Sequence, residues 1–251
     1  MLSLRKGRYD VRFAETARDL RAAQRLRWLA FMARSAAGDD GAALDADDLD
    51  PICRHVLIED SRSGALACCF RFLPLNSGAD IDDSYSARHY NLDTLRNFDA
   101  PMVEMGRFCV HPDYPDPDIL RLAWGAMTGF VDDHGVQMLF GCSSFVGTQP
   151  EAYADAFAML KDRHLAPRRW LPRVKAPQVF RFARALRGLR PDPRKAMAGM
   201  PPLLRSYLAM GGWVSDHAVV DPQMNTLHVF TGLEIGAIPA ARKRALRLLA
   251  G

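Results

Sequence analysis

The stretch MVEMGRFCVHP, residues 102–112, decides how the rest of the chain is read. Its apolar majority predicts a buried strand, yet Glu104 and Arg107 put charge inside it. In a regular strand, residues three apart face opposite sides of the sheet, so this acid and this base are expected on opposite faces. Burying an unpaired charge is costly, so each needs a partner or a task. The following DYPDPDILRLAWGAM reads as a turn and a helix, with Asp116 as N-cap and Pro117 at the first helical position. A strand that carries an acid and a base into a helix N-terminus suits acyl-transfer chemistry.

Outward from this strand, the helix runs to about residue 134 and Gly135 stops it. Residues 136–141 (VQMLFG) form another strand, with Cys142, Ser143 and Ser144 as small polar groups at its end. Residues 151–164 form a helix behind Pro150. On the N-terminal side, 8–14 alternate as a strand, and Thr16 opens a helix with Leu20, Ala23, Leu26 and Leu29 on one face and Arg27 near it. The acidic loop from Gly38 to Asp50 follows, then strands over 55–60 and 65–73 around a tight turn, the second interrupted by Arg71. Residues 76–100 are polar and irregular, with a short helix near 92–98. Further on come an amphipathic helix over 179–189, a short helix over 202–210, strands over 213–220 and 226–235, and a basic C-terminal helix. This order predicts one α/β domain over 1–251, a mixed sheet flanked by helices, with a basic helical segment at about 163–210 and a late strand pair at about 213–235.

An apolar fraction of 49% over 251 residues gives a sizeable core. The net charge is only +4 but unevenly spread. Residues 39–60 hold eight acids and one base, and residues 163–195 hold eleven bases and one acid. These are either two solvated faces or, for the basic one, a surface that meets an acidic partner. Cys53, Cys68, Cys69, Cys109 and Cys142 lie mostly in apolar runs and read as reduced residues of a cytoplasmic protein, not a disulfide frame or metal site. Signal-peptide and membrane-spanning patterns are not expected, so membrane contact would be peripheral, at the inner membrane. No nucleic-acid partner is expected.

The segment VEMGRFCVHPDY resembles the E-x-x-R-x-x-V-x-P-x-Y strand of bacterial ornithine N-acyltransferases, members of the GCN5-related acyltransferase superfamily that are similar to acyl-homoserine-lactone synthases. The resemblance extends over most of the chain. It takes in Arg27 to Phe31, the acids Asp45, Asp47 and Asp50, the strand from His55, and Arg71. Later it takes in GCSSFVGT, HLAPRRW and PPLLRSYLAMGGW. The Q/R-x-x-G-x-G/A turn that holds a coenzyme A pyrophosphate is replaced by DYPDPDILRLAWG. That departure suits a donor carried on the phosphopantetheine of acyl carrier protein, with no resident cofactor. Arg54 stands where relatives often have an acid, which bears on amino-acid preference.

The resemblance implies transfer of a 3-hydroxy fatty acyl chain to the α-amine of ornithine, giving lyso-ornithine lipid. An α-ammonium must lose a proton before it attacks a thioester, and Glu104 is the candidate base; its alternative role is a buried partner of Arg71 or Arg107. Arg107, with Arg27 and Arg71, is the candidate for the substrate carboxylate, and Asp47 and Asp50 for the δ-ammonium; the alternative is that these groups pair with one another. A backbone N–H near Phe108 to Val110 is the expected oxyanion donor. Cys142, Ser143 and Ser144 are expected to line the donor's channel, with direct transfer favoured over an acyl-enzyme. Arg168, Arg169, Arg173 and Lys175 are the expected carrier-docking surface, or a face for anionic lipid. Other readings are the same reaction on another amino acid such as glutamine, homoserine-lactone synthesis, and a carrier- or membrane-binding module without activity.

Overall fold

A computed structural model of the chain describes residues 3–32 and 43–250. The part of the acidic loop from Gly38 to residue 42 lies outside the described residues. The strands are β1 (Ser3–Lys6), β2 (Tyr9–Phe13), β3 (Arg54–Asp60), β4 (Leu66–Leu75), β5 (Tyr90–Asn91), β6 (Met102–Val110), β7 (Met138–Val146), β8 (Arg173–Val174), β9 (Val179–Phe180), β10 (Trp213–Asp221) and β11 (Thr226–Glu234). The helices are α1 (Ala17–Phe31), α2 (Tyr85–His89), α3 (Pro117–Asp133), α4 (Ala154–Arg163), α5 (Phe182–Ala185), α6 (Pro193–Gly199), α7 (Pro202–Ala209) and α8 (Ala240–Ala250). The chain forms two compact units: one from Met1–Pro74, Met105–Val136 and Ala240–Gly251, the other from Leu75–Glu104 and Gln137–Pro239. Strand β6 begins in the second and ends in the first.

The first unit carries the strand order β1–β2–β3–β4–β6. Thr16 and Asp19 start α1 reciprocally: each side chain accepts the other's backbone N–H at 3.1 Å. The predicted apolar stripe then buries Ala23 and Leu26 against Leu57 of β3, Cys69 of β4 and Cys109 of β6. Asp116 caps α3 as expected, accepting from the Asp118 N–H at 2.9 Å, and it also accepts from the Tyr9 hydroxyl at 3.0 Å, which ties the helix start to β2.

The second unit carries the order β6–β7–β11–β10–β9. Parallel pairing of β6 with β7 joins Met102–Glu104 to Met138–Phe140, while β11 lies antiparallel to both β7 and β10, so the sheet is mixed. Phe145, Phe157, Phe182, Leu204 and Val229 form its core on one side. The late strand pair and the helix at Pro202 match expectation.

Three expectations need correction in this unit. Strand β7 does not end at Gly141 but runs to Val146, because Cys142–Val146 complete a ladder with β11. Residues 179–189 are not one helix: Val179 and Phe180 pair with Val219 and Ala218 as an edge strand, and only Phe182–Ala185 turn helically. Edge pairing and the anchor Phe182 override the helical period. The helix expected near 92–98 is a single 3-10 turn at Asp93–Leu95, and the helix of this region is α2. The approach to α2 is tight: a Cβ on Gly78 would stand 1.9 Å from the Leu95 carbonyl oxygen. Gly78→Ala is expected to destabilise by roughly 1–3 kcal/mol, read as a lower urea midpoint at unchanged slope.

Candidate active site

In the first unit the sequence-predicted arginines and aspartates do come together, and they pair with one another. Arg27, projecting from α1 and 1% exposed, donates to Asp45 at 2.8 Å and to Asp50 at 2.6 Å. Arg71 from β4 grips both oxygens of Asp47, at 2.6 and 2.8 Å, and also bonds Asp50. Arg107 donates to Asp47 at 3.0 Å and lies 3.4 Å from Asp45. Gln24 donates to Asp50 at 2.9 Å. Asp45, which the sequence offered only as part of an acidic pattern, completes the set.

Burial alone would raise Asp47, but hydrogen bonds and charge from Arg71, then Arg107, hold it below the usual carboxylate range. Asp50 is likewise lowered against burial, by Arg27, Gln24 and Arg71. Among the described residues, three guanidiniums thus face three carboxylates in one cluster. The pairing reading left open by the sequence is the one observed for Arg27 and Arg71. Arg107, with 14% of its side chain exposed, has the most solvent access of the three.

Arg107 also has φ of 55°, left-handed backbone for a non-glycine residue inside a strand. A Cβ on Gly106 would point to Arg71 at 3.8 Å, while Arg107 bonds Asp47, which Arg71 holds. Gly106 and Arg107 therefore both turn toward this cluster, so strict alternation does not hold across the left-handed residue. Beyond the break, Cys109 is buried while Phe108 and Val110 are half-buried, and the Phe108 ring lies 5.8 Å from that of Phe70.

In the second unit Glu104 is 4% exposed and acts as an anchor for a helix. One oxygen accepts from the Tyr85 N–H at 2.7 Å; the other accepts from the Ser86 N–H at 2.7 Å and the Ser86 hydroxyl at 2.5 Å. These are first-turn donors of α2, where an anion is favoured. At the other end of α2, Lys175 donates to the Ala87 carbonyl at 2.6 Å, a cation on the C-terminal carbonyls. The five-residue helix is held by opposite charges at its two ends. The sequence reading missed α2 and these donors; the available signal was Ser84, whose hydroxyl caps the helix by accepting from the Ala87 N–H at 3.1 Å.

Cys142 Sγ lies 3.4 Å from the same Ser86 hydroxyl. Ladder parity puts Cys142 and Ser144 on the face of Phe140, the residue paired with Glu104. Ser143 points the other way and accepts from the Thr231 hydroxyl at 2.9 Å, so the three residues expected to act as one lining are split between faces. Arg168, Arg169, Arg173 and Lys175 are all exposed. Arg169 pairs with Glu234 at 3.1 Å, and Lys175 borders a pocket of about 420 Å³ with Arg88, Tyr90 and Arg96. No helix among the described residues is long and apolar enough to cross a membrane.

Residues 26–125 match the family model described as an acetyltransferase (GNAT) domain. Over 239 residues the chain is 33% identical to an L-ornithine Nα-acyltransferase of Rhodobacter capsulatus, covering 92% of this chain and 91% of that protein. It is 30% identical over 240 residues to an L-ornithine Nα-acyltransferase of Rhizobium meliloti, covering 91% of this chain and 81% of that protein. Among solved structures, FeeM, an N-acyl amino acid synthase from uncultured soil microbes, aligns with a TM-score of 0.45 at 10% identity over 97% of each chain.

Proposed function

The chain belongs to the L-ornithine Nα-acyltransferases, GNAT-fold acyltransferases, and from that premise we propose that it moves a 3-hydroxy fatty acyl group from acyl carrier protein to the α-amine of ornithine. The observation that supports this reading is the buried carboxyl of Glu104 on the central strand, held by three donors from Tyr85 and Ser86 at the start of α2. In the proposed reaction Glu104, directly or through a water, takes a proton from the α-ammonium. The amine attacks the thioester carbon, the N–C bond forms and the C–S bond breaks. The second proton leaving nitrogen goes to the departing thiolate, and the first is released to solvent. The products are an amide, a free carrier thiol and one proton.

Arg107 is assigned to the substrate carboxylate because Arg27 and Arg71 are committed to buried pairs. A main-chain N–H between Phe108 and Val110 is assigned to the oxyanion, following the left-handed residue that reshapes this strand. The exposed bases Arg168, Arg169, Arg173 and Lys175 suit an acidic carrier, and equally an anionic lipid surface near which the amphiphilic product would leave.

The test is incubation of the purified chain with 3-hydroxyacyl carrier protein and a panel of amino acids, followed by mass spectrometry. N-acyl ornithine is the expected product. Glutamine or another amino acid as the acylated species would reassign the acceptor. Absence of any N-acyl amino acid from every donor would overturn the reading.

A further inference from the structure

The acyl-transfer reading leaves one basic surface, Arg168 to Lys175, to suit two partners. The second unit carries another basic surface, built on α5, α6 and the turn between them. Arg181, Arg184, Arg187, Arg190, Arg194 and Lys195 are all exposed. Among the described residues, none of these six side chains makes a hydrogen bond or an ion pair. Other exposed arginines of the chain behave differently: Arg96, Arg121, Arg169 and Arg247 each hold a carboxylate.

The nearby acids are occupied elsewhere. Asp192, the acid of this segment, caps α6 by accepting from the Arg194 and Lys195 N–H groups at 2.8 and 3.2 Å. On α4, Asp155 accepts from the Asp192 N–H at 2.8 Å, and Asp162 lies 3.1 Å from Lys161.

The segment is also fixed in place. Phe182 is fully buried and stacks on Phe157, with centroids 5.2 Å apart. Ala196 and Met200 are buried in the same core. Lys161 donates to the carbonyls of Leu186 and Leu189 at 2.8 and 3.1 Å, tying the turn to α4. With the apolar side held on the core, the six cations face outward, where like charges repel one another. Two apolar side chains stay out among them, Leu189 at 38% and Met197 at 45% exposure.

A lone exposed leucine or methionine is ordinary. The informative feature is the mixture: unpaired cations on an anchored scaffold, with apolar side chains between them. An acidic protein would answer the charge, but Leu189 and Met197 would then need a recess shaped to receive them. A layer of phosphate anions over hydrocarbon answers both and requires no matching shape.

We propose that the surface from Arg181 to Met197 seats the protein on an anionic phospholipid bilayer, with the cations at headgroup phosphates and Leu189 and Met197 at the acyl boundary. Arg168 to Lys175 is then left to the carrier. That division of labour rests on the acyl-transfer reading, whereas the seating itself is tested without turnover.

The purified full chain would be sedimented with vesicles of phosphatidylcholine alone and of phosphatidylcholine mixed with phosphatidylglycerol. Binding is expected to the anionic vesicles only, and to fall steeply between about 0.1 and 1 M salt as screening shortens. Replacing Arg181, Arg184, Arg187 and Arg190 together by Gln is expected to weaken partitioning at least about a hundredfold. Leu189→Ser with Met197→Ser is expected to weaken it about tenfold at unchanged charge. Replacing Arg168, Arg169 and Arg173 by Gln is expected to change it less than about fivefold. The replaced side chains are exposed, so each variant is expected to fold, and thermal melting followed by circular dichroism checks this.

Failure of the wild type to bind anionic vesicles, equal binding to both kinds, or wild-type binding by the four-arginine variant would overturn the proposal. So would an equal loss in the variant at Arg168, Arg169 and Arg173, because the seat would not then be this surface. Vesicle binding without N-acyl product from any donor would leave the seat standing and remove the reaction assigned above. N-acyl product from a chain that ignores vesicles would do the reverse.

Discussion

Glu104→Gln is expected to lower turnover about 10²–10⁴-fold, the usual contribution of a positioned general base, and to lower stability at the same time. The second effect follows from how the carboxylate is held. Tyr85 N–H and Ser86 N–H bond different oxygens of Glu104. A glutamine has one carbonyl oxygen, so either orientation turns an NH₂ toward one of those N–H groups. Leaving one donor unsatisfied costs about 1–3 kcal/mol. Turnover must therefore be compared at matched folded fraction. Ser86→Ala supplies the control, because it removes only the hydroxyl and keeps the carboxylate with its two main-chain donors. It is expected to cost about 1.5–3 kcal/mol at most, as a bond to a charged group, with turnover largely kept. Wild-type turnover in Glu104→Gln would reduce Glu104 to an anchor for α2.

That double role explains what could be read from the sequence and what could not. Period and capping were legible wherever one local signal ruled. Thr16, and Asp116 with Pro117, marked two helix starts, alternation marked β2, and apolar runs beside turns marked β3, β10 and β11. The reading failed where tertiary contact decides. Val179 and Phe180 carry a helical pattern but are captured by the open edge of β10. Helix α2 is only five residues long and polar, and it persists because Glu104 and Lys175, distant in sequence, hold its two ends.

The site was legible as a set of residue types and opaque in its pairing. Arg27, Arg71, Arg107, Asp47 and Asp50 were all picked out. That they neutralise one another follows from three elements meeting, which spacing along the chain does not encode. The left-handed backbone at Arg107 was equally hidden, since the residue there is an arginine and not the glycine that would have signalled it.

Asp50→Ala is expected to destabilise the chain by about 3–5 kcal/mol, more than any other single change in the charged cluster. Asp50 is buried and bonds two guanidiniums, Arg27 at 2.6 Å and Arg71, besides Gln24. Its loss leaves three cations against two carboxylates, and the uncompensated charge is buried where Arg27 cannot reach water. Arg107→Met should behave differently. Its guanidinium is less buried and Asp47 keeps Arg71, so the stability loss is expected to be smaller, about 1.5–3 kcal/mol, while the KM for the amino acid rises if Arg107 holds the substrate carboxylate.

Acid gives the same ordering without mutation. Asp47 and Asp50 are lowered in the folded chain, so their stabilisation is complete above the ordinary carboxylate range. It is lost as pH falls from about 4 through their lowered values. Urea midpoints measured down a pH series should fall steeply in that window for the wild type and more shallowly for Asp50→Ala, which has already lost one of the two carboxylates. Equal slopes, together with a small cost for Asp50→Ala, would mean that the cluster contributes little to folding and that its aspartates are available to a ligand.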